Sequence, residues 1–181
     1  MVEKLKAEYN VDVEWRPFYL YFDTPPEGRE LPDYVKRARA NGSEERLRSM
    51  ANANGMDFES TERIYNTRIA HEATEYAREN GLGNEFHKVV FRKVYAEKQD
   101  ISSWDVLRSA AEEVGLNADE MQRDVTGEKY KINVEEQVKW AYQIGVTGVP
   151  TYVINDRYAV VGAQPYEVFR NALEQIMNKK D

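Results

Sequence analysis

The stretch Gly145-Val146-Thr147-Gly148-Val149-Pro150-Thr151-Tyr152-Val153-Ile154 decides how this chain is read. A helical pattern ahead of it ends at Gly145. Gly145 and Gly148 bracket a turn, and Pro150 heads a short β-branched, apolar run. Proline has no N–H to give a ladder, so the first residue of a strand is one of the few strand positions open to it. Asn155-Asp156 is a turn signal. Tyr158-Ala159-Val160-Val161 is then the returning strand of a hairpin. Gly162-Ala163-Gln164 leads into a last helix that opens at Pro165 and buries Phe169, Ala172, Leu173 and Ile176.

Upstream of this segment the pattern is a short helix, a strand and then many helices. Val2 to Tyr9 reads as a helix that stops at Asn10. Val11, Val13 and Trp15 alternate with Asp12, Glu14 and Arg16, a period-two strand pattern ended by Pro17. Thr24-Pro25-Pro26-Glu27-Gly28-Arg29 is a loop by composition. Pro32 suits a first helical position, Asn41-Gly42 a stop, and Ser43 the cap of a segment running to Gly55. After a turn near Asn66-Thr67, a helix carries Ile69, Ala70, Ala73, Tyr76 and Ala77 on one face and stops at Gly81. Asn84 is placed to cap the next helix, which carries Phe86, Val89, Val90, Phe91 and Val94. Ser102-Ser103-Trp104-Asp105 resembles a capping box, and that helix stops at Gly115. Asn117 to Glu120 and Asn133 to Glu136 repeat the signal, the latter ahead of Val138, Ala141 and Tyr142.

Composition excludes several function classes. The chain has 181 residues, 41% hydrophobic and 31% charged, in keeping with a globular protein. A net charge of -7 argues against non-specific binding of nucleic acid or anionic membrane, both of which need clustered Lys and Arg. No apolar run approaches the roughly 20 residues of a membrane span. Met1-Val2-Glu3-Lys4-Leu5-Lys6 has no apolar signal region, which points to the cytoplasm. The two histidines, His71 and His87, lack the spacing of a metal pair, so no metal site is expected. Glu112-Glu113 and Glu135-Glu136 are neighbours that point in different directions on a helix, so neither pair is an acid/base dyad. Gly81-Leu82-Gly83 lacks the strand and lysine of a phosphate loop. Tyr19, Tyr21, Phe22, Trp104 and Trp140 suit a core or domain interface better than a base-stacking platform. There is no cysteine, which removes disulfides, thiolate metal sites and any thiol nucleophile from this chain.

Four groups of residues carry a resemblance: Trp15-Arg16-Pro17-Phe18, Thr24-Pro25-Pro26-Glu27-Gly28, Asn66-Thr67-Arg68-Ile69-Ala70-His71, and GVTGVPTYVIN followed by YAVVGAQ. Together they resemble the DsbA family of thioredoxin-like proteins, most of all its FrnE-type cytoplasmic branch, over nearly the whole chain. The resemblance implies an α/β fold: a thioredoxin-like domain, residues 1–31 and 123–181, interrupted by an inserted α-helical domain, residues 32–122. It implies a family activity of dithiol–disulfide oxidoreduction on protein or peptide substrates, with no cofactor. In the family, the residue matching Pro150 is a cis-proline facing the dithiol, and the backbone before it pairs with substrate. Val149, Pro150 and Thr151 are therefore expected substrate-binding residues. Asn66, Thr67 and His71 match a segment near the family's cleft. Taken by themselves they read as a cap pair and a surface or core histidine.

The sequence departs from the family at its start, where the first strand and the C-x-x-C are absent. By resemblance, that strand would lie between the one matching Val11 to Trp15 and the one matching Thr151 to Ile154. Its loss leaves two rows of backbone groups to satisfy. Each buried unsatisfied group costs on the order of 1–3 kcal/mol, against a total stability of about 5–15 kcal/mol. The slot is expected to be filled by an upstream segment, by a neighbouring subunit in a homodimer or strand-swapped oligomer, or by direct pairing of the two flanking strands. A chain without sulfur nucleophiles is expected to be redox-inactive. Chromene-carboxylate isomerases and kappa-type glutathione transferases share the fold with a serine in the thiol's place, and their Asn-Ser/Thr segment resembles Asn66-Thr67. That likeness implies glutathione or a glutathione conjugate as ligand. A non-enzymatic binding or dimerisation module is the third reading.

Overall fold

A computed structural model describes residues 2–178. Its elements are α1 (Val2–Glu8), β1 (Arg29–Glu30), α2 (Asp33–Ala40), α3 (Ser43–Asn52), β2 (Arg63–Ile64), α4 (Arg68–Glu79), α5 (Gly83–Tyr95), α6 (Trp104–Glu113), α7 (Ala118–Thr126), α8 (Lys131–Gln143), β3 (Thr151–Ile154), β4 (Tyr158–Val161) and α9 (Tyr166–Asn178). This is a mixed, helix-rich α/β protein. The described residues divide into two compact units: those up to residue 20 together with those from 137 onward, and residues 21–136. These divisions differ from the 31/32 and 122/123 divisions implied by the resemblance. The segment after residue 20 is tied to the helical unit by β1, which pairs antiparallel with β2, and by Asn66 Nδ2, which donates to Thr24 O at 2.8 Å. At the other end, Tyr130 joins the buried cluster of the same unit.

In the 21–136 unit the core follows from small residues at helical spacing. Ala73 and Ala77 on α4 and Ala110 and Ala111 on α6 are fully buried, so the helices approach closely. Phe86, Leu107 and Met121 fill the space between them without exposure. Asn117 caps α7 as its sequence signal requires, accepting from Glu120 N at 3.1 Å. Gly81 and Gly115 end their helices at φ 75° and 82°, where a side chain would be strained. By contrast, α2 and α3 bury no residue.

Three cap assignments are corrected. Leu82 stands at the start of α5, leaving Asn84 within its first turn. Ser103 precedes α6 without a side-chain cap bond. It is Asp100 that takes the neighbouring serine, accepting from both the backbone N (2.8 Å) and Oγ (2.5 Å) of Ser102. α8 begins two residues before Asn133, whose side chain donates to Glu75 at 3.2 Å. In each case a polar residue near a helix start found a better partner than the helix end.

In the other unit, β3 and β4 form the expected hairpin, with Thr151 opposite Val161 and Ile154 opposite Tyr158. Asn155 and Asp156 sit at φ 51° and 54°, the paired positive values of a type I′ turn. Leu5, Phe169 and Leu173 form a small buried cluster. Tyr9, Val11, Tyr152, Ile154, Val160 and Tyr166 pack around it, half-buried.

Residues 11–15 correct the sequence reading, because they form no strand. Alternation assigns side chains to faces, but a ladder needs a neighbouring backbone, and no strand lies alongside this segment among the described residues. Side chains anchor it instead. Val11 reaches the small cluster, Arg16 lies 4.8 Å over the Trp140 ring, Phe18 packs 5.1 Å from Tyr142, and Tyr142 Oη donates to Tyr19 O at 2.7 Å. Nor do the two flanking segments pair directly with each other: β3 pairs with β4 alone among the described residues.

Candidate functional site

The loop ahead of β3 is built by the end of α8. Gly145, at φ 82°, turns the chain out of the helix. Val146 N reaches back to Ala141 O at 3.0 Å and Gly145 N to Tyr142 O at 3.0 Å, the bond pair of a Schellman stop. Val146 and Ala141 are buried together at that corner. Thr151 Oγ1 donates to Gly148 O at 2.7 Å and closes the loop. The Val149–Pro150 peptide bond is cis. Gly162 N donates to Pro150 O at 2.8 Å, which carries the hairpin ladder one step beyond β3. Val149 is 52% exposed, Pro150 is exposed and Thr151 is half-buried. The loop thus presents an apolar pair on a backbone held at both ends.

Asn66, Thr67 and His71 belong to the 21–136 unit, whereas Val149, Pro150 and Thr151 belong to the other. Asn66 has two bonds. Its Oδ1 accepts from Arg68 N at 3.0 Å, in an Asx turn into α4, and its Nδ2 holds the Thr24 carbonyl. Thr67 occupies the cap position without a side-chain cap bond, and its carbonyl accepts His71 N at 3.0 Å. His71 is half-buried. Burial, and secondarily the nearby His87, lower its pKa to about 4. Burial, helped by Lys88, lowers that of His87 to about 4 as well, and its ring lies 4.3 Å from Phe91. Both imidazoles are neutral at pH 7 and too weakly basic for proton transfer near neutrality.

Sequence reasoning missed the buried charges of this unit. Glu72 is 1% exposed. Its Oε1 takes Arg68 Nε at 2.7 Å, while its Oε2 has no partner. Glu75 is buried between Arg78 and Asn133. Lys93 is buried with its Nζ 3.2 Å from Ser109 Oγ. Their one visible signal was the i,i+4 and i,i+3 spacing of Arg68–Glu72 and Glu75–Arg78, which marks exposed helix faces as readily as buried ones. A second network joins Tyr130, Glu79, Lys129 and Asp124. Burial and the Glu79 carboxylate push the Tyr130 pKa up to about 12, and the hydrogen bond from Tyr130 lowers that of Glu79. No group of three or more His, Cys, Asp or Glu among the described residues is arranged to hold a metal ion. No helix among them is long and apolar enough to cross a membrane.

Comparison with known proteins bears on the whole chain. The family model of the DSBA-like thioredoxin domain matches residues 1–174. The uncharacterized protein YwbO of Bacillus subtilis (strain 168) is 30% identical over 181 residues, 98% of this chain and 88% of YwbO. Among solved structures, the probable DsbA oxidoreductase SCO1869 of Streptomyces coelicolor is 26% identical with a TM-score of 0.83, covering 92% of this chain and 75% of that one. A 2-hydroxychromene-2-carboxylate isomerase superposes with a TM-score of 0.78 at 17% identity, covering 98% of this chain and 87% of that one. A putative protein disulfide isomerase from Nitrosomonas europaea superposes with a TM-score of 0.66 at 20% identity, over 83% of this chain and 77% of that one. The last two likenesses concern fold alone. The match over residues 1–174 makes the chain a member of the DSBA-like thioredoxin domain family.

Proposed function

We propose that this chain is a cytoplasmic, FrnE-like member of the family that binds a protein or peptide thiol/disulfide substrate through Val149, Pro150 and Thr151, without carrying out thiol exchange itself. The observation that supports this reading is a family match spanning residues 1–174 in a sequence with no cysteine. Thiol–disulfide exchange begins with attack by a thiolate, and these residues supply none. They offer instead an exposed apolar pair on a loop pinned by Thr151 Oγ1 and Gly162 N. Insulin reduction and scrambled-ribonuclease refolding by the 181-residue chain test it. Rates equal to a mock preparation are expected, and turnover above mock overturns the reading. Fold likeness to the chromene-carboxylate isomerase, over 98% of this chain, favours a second reading in which glutathione or its conjugate is the ligand and Asn66 and Thr67 contribute. Retention on immobilised glutathione, eluted by free glutathione, would decide for that alternative. Flow-through decides for the first.

A further inference from the structure

The phase of the hairpin ladder fixes which backbone groups of β3 face outward. In an antiparallel pair, opposed residues alternate between those that exchange backbone hydrogen bonds and those that do not. The bond from Gly162 N to Pro150 O makes that pair the bonded kind. Counting along the register, Tyr152–Val160 and Ile154–Tyr158 are bonded pairs, and Thr151–Val161 and Val153–Ala159 are not. The N–H and C=O groups of Thr151 and Val153 therefore point away from β4. On that edge β3 has no neighbouring strand among the described residues.

The side chains mark the edge as unfinished. Tyr152 and Ile154 turn toward Leu5, Phe169 and Leu173, with the Tyr152 ring 4.7 Å from Phe169. Both stay half-buried, as do Tyr9 and Val11 around the same cluster. Along Thr151–Ile154 there is no charged side chain to discourage pairing, and the only proline stands before the first residue. Two outward N–H groups alternating with two outward C=O groups match one kind of ligand, another extended polypeptide backbone.

We infer that the outer edge of β3 receives an extended strand of a separate polypeptide, with alternate apolar side chains that continue the Leu5–Phe169–Leu173 cluster. A second copy of this chain is a poor donor. Its long apolar runs already lie in helices or in β3 and β4, and its extended segment around residues 11–19 is anchored by its own contacts with Trp140 and Tyr142. The inference rests on β3 itself and is independent of the thiol reading.

The test titrates the full chain into fluorescein-labelled acetyl-Lys-Thr-Val-Thr-Val-Thr-Lys-amide and follows anisotropy. Saturable binding is expected, weakened by about tenfold or more when alternate peptide nitrogens are methylated, since methylation removes only donors. Val153→Pro deletes an outward N–H and leaves the β4-facing bonds of Tyr152 and Ile154 in place. It is expected to lose binding to the same degree with an unchanged circular dichroism spectrum, whereas Pro150→Ala retains binding. Should Val153→Pro fail to fold, the methylated peptide decides. Amide exchange gives a second readout: peptide slows the Val153 amide and leaves Tyr152 unchanged. No saturation up to about 1 mM peptide overturns the inference. So does equal binding of the methylated peptide, or sedimentation as a dimer that Val153→Pro dissociates, which would give the edge to a second copy.

Discussion

Gly28 and Gly42 both sit at positive φ, 74° and 83°, but their surroundings differ. A Cβ at Gly28 would lie 2.6 Å from the carbonyl oxygen of Ile64, whereas at Gly42 it meets nothing within 4 Å. Gly42→Ala should therefore cost only the left-handed backbone penalty, about 1 kcal/mol. Gly28→Ala should cost about 2–4 kcal/mol, because backbone must also move and β1 parts from β2. Urea midpoints of the two variants compare them directly, and equal losses would show that the loop at Gly28 yields freely. At this scale the sequence was half legible. Gly145, Asn117 and the Asn155-Asp156 turn behave as their residue types dictate, because each acts on backbone within a few positions. The burial of Glu72 and Lys93 was not legible, since it depends on which helix packs over them.

Among the elements, α4 and α5 carry a built-in acid sensitivity. His71 and His87 have folded-state pKa values near 4, below the ordinary 6.5, so the unfolded chain binds more protons between those limits. The associated stability is fully present above about pH 6.5 and is lost as pH falls toward 4, by on the order of 2 kcal/mol per histidine. Urea unfolding at pH 7, 5.5 and 4.5 should show His71→Leu losing less stability with acidification than the parent chain. Parallel curves would assign the acid limb to carboxylates. The α2–α3 hairpin stands at the other extreme, since it buries nothing and is tied back by Arg39 Nη2 on Thr61 O at 2.8 Å. Its amides should exchange with deuterium well before those of α4, and Arg39→Ala should widen the gap. Helices were the most legible elements, because apolar spacing and glycine stops mark them locally. β1 and β2, two residues each, are too short for any alternation to show. Residues 11–15 have strand alternation without a strand, since pairing is decided by distant backbone.

Across the whole molecule, buried apolar surface is unevenly shared. The cluster of the 21–136 unit holds sixteen buried residues among those described, and that of the other unit holds Leu5, Phe169 and Leu173. A two-stranded hairpin on a thin core is marginal, so the unit containing it should open first. Trp15 and Trp140 lie in that unit and Trp104 in the other, while most helical signal comes from residues 21–136. In urea, tryptophan fluorescence should therefore change at a lower midpoint than far-ultraviolet circular dichroism. Coincident transitions would mean that the two units unfold as one. The fold class was legible at this scale because the GVP hairpin, the helix stops and the missing cysteines lie far apart in the chain yet agree. The unit boundaries were not, since they turn on β1–β2 pairing and on Tyr130. The uncovered margin of β3 also bears on handling the protein. Thr-Tyr-Val-Ile is a short, uncharged, β-prone tetrapeptide, and concentrated samples warmed for hours should slowly nucleate thioflavin-positive fibrils from it, which a lysine at position 153 would suppress.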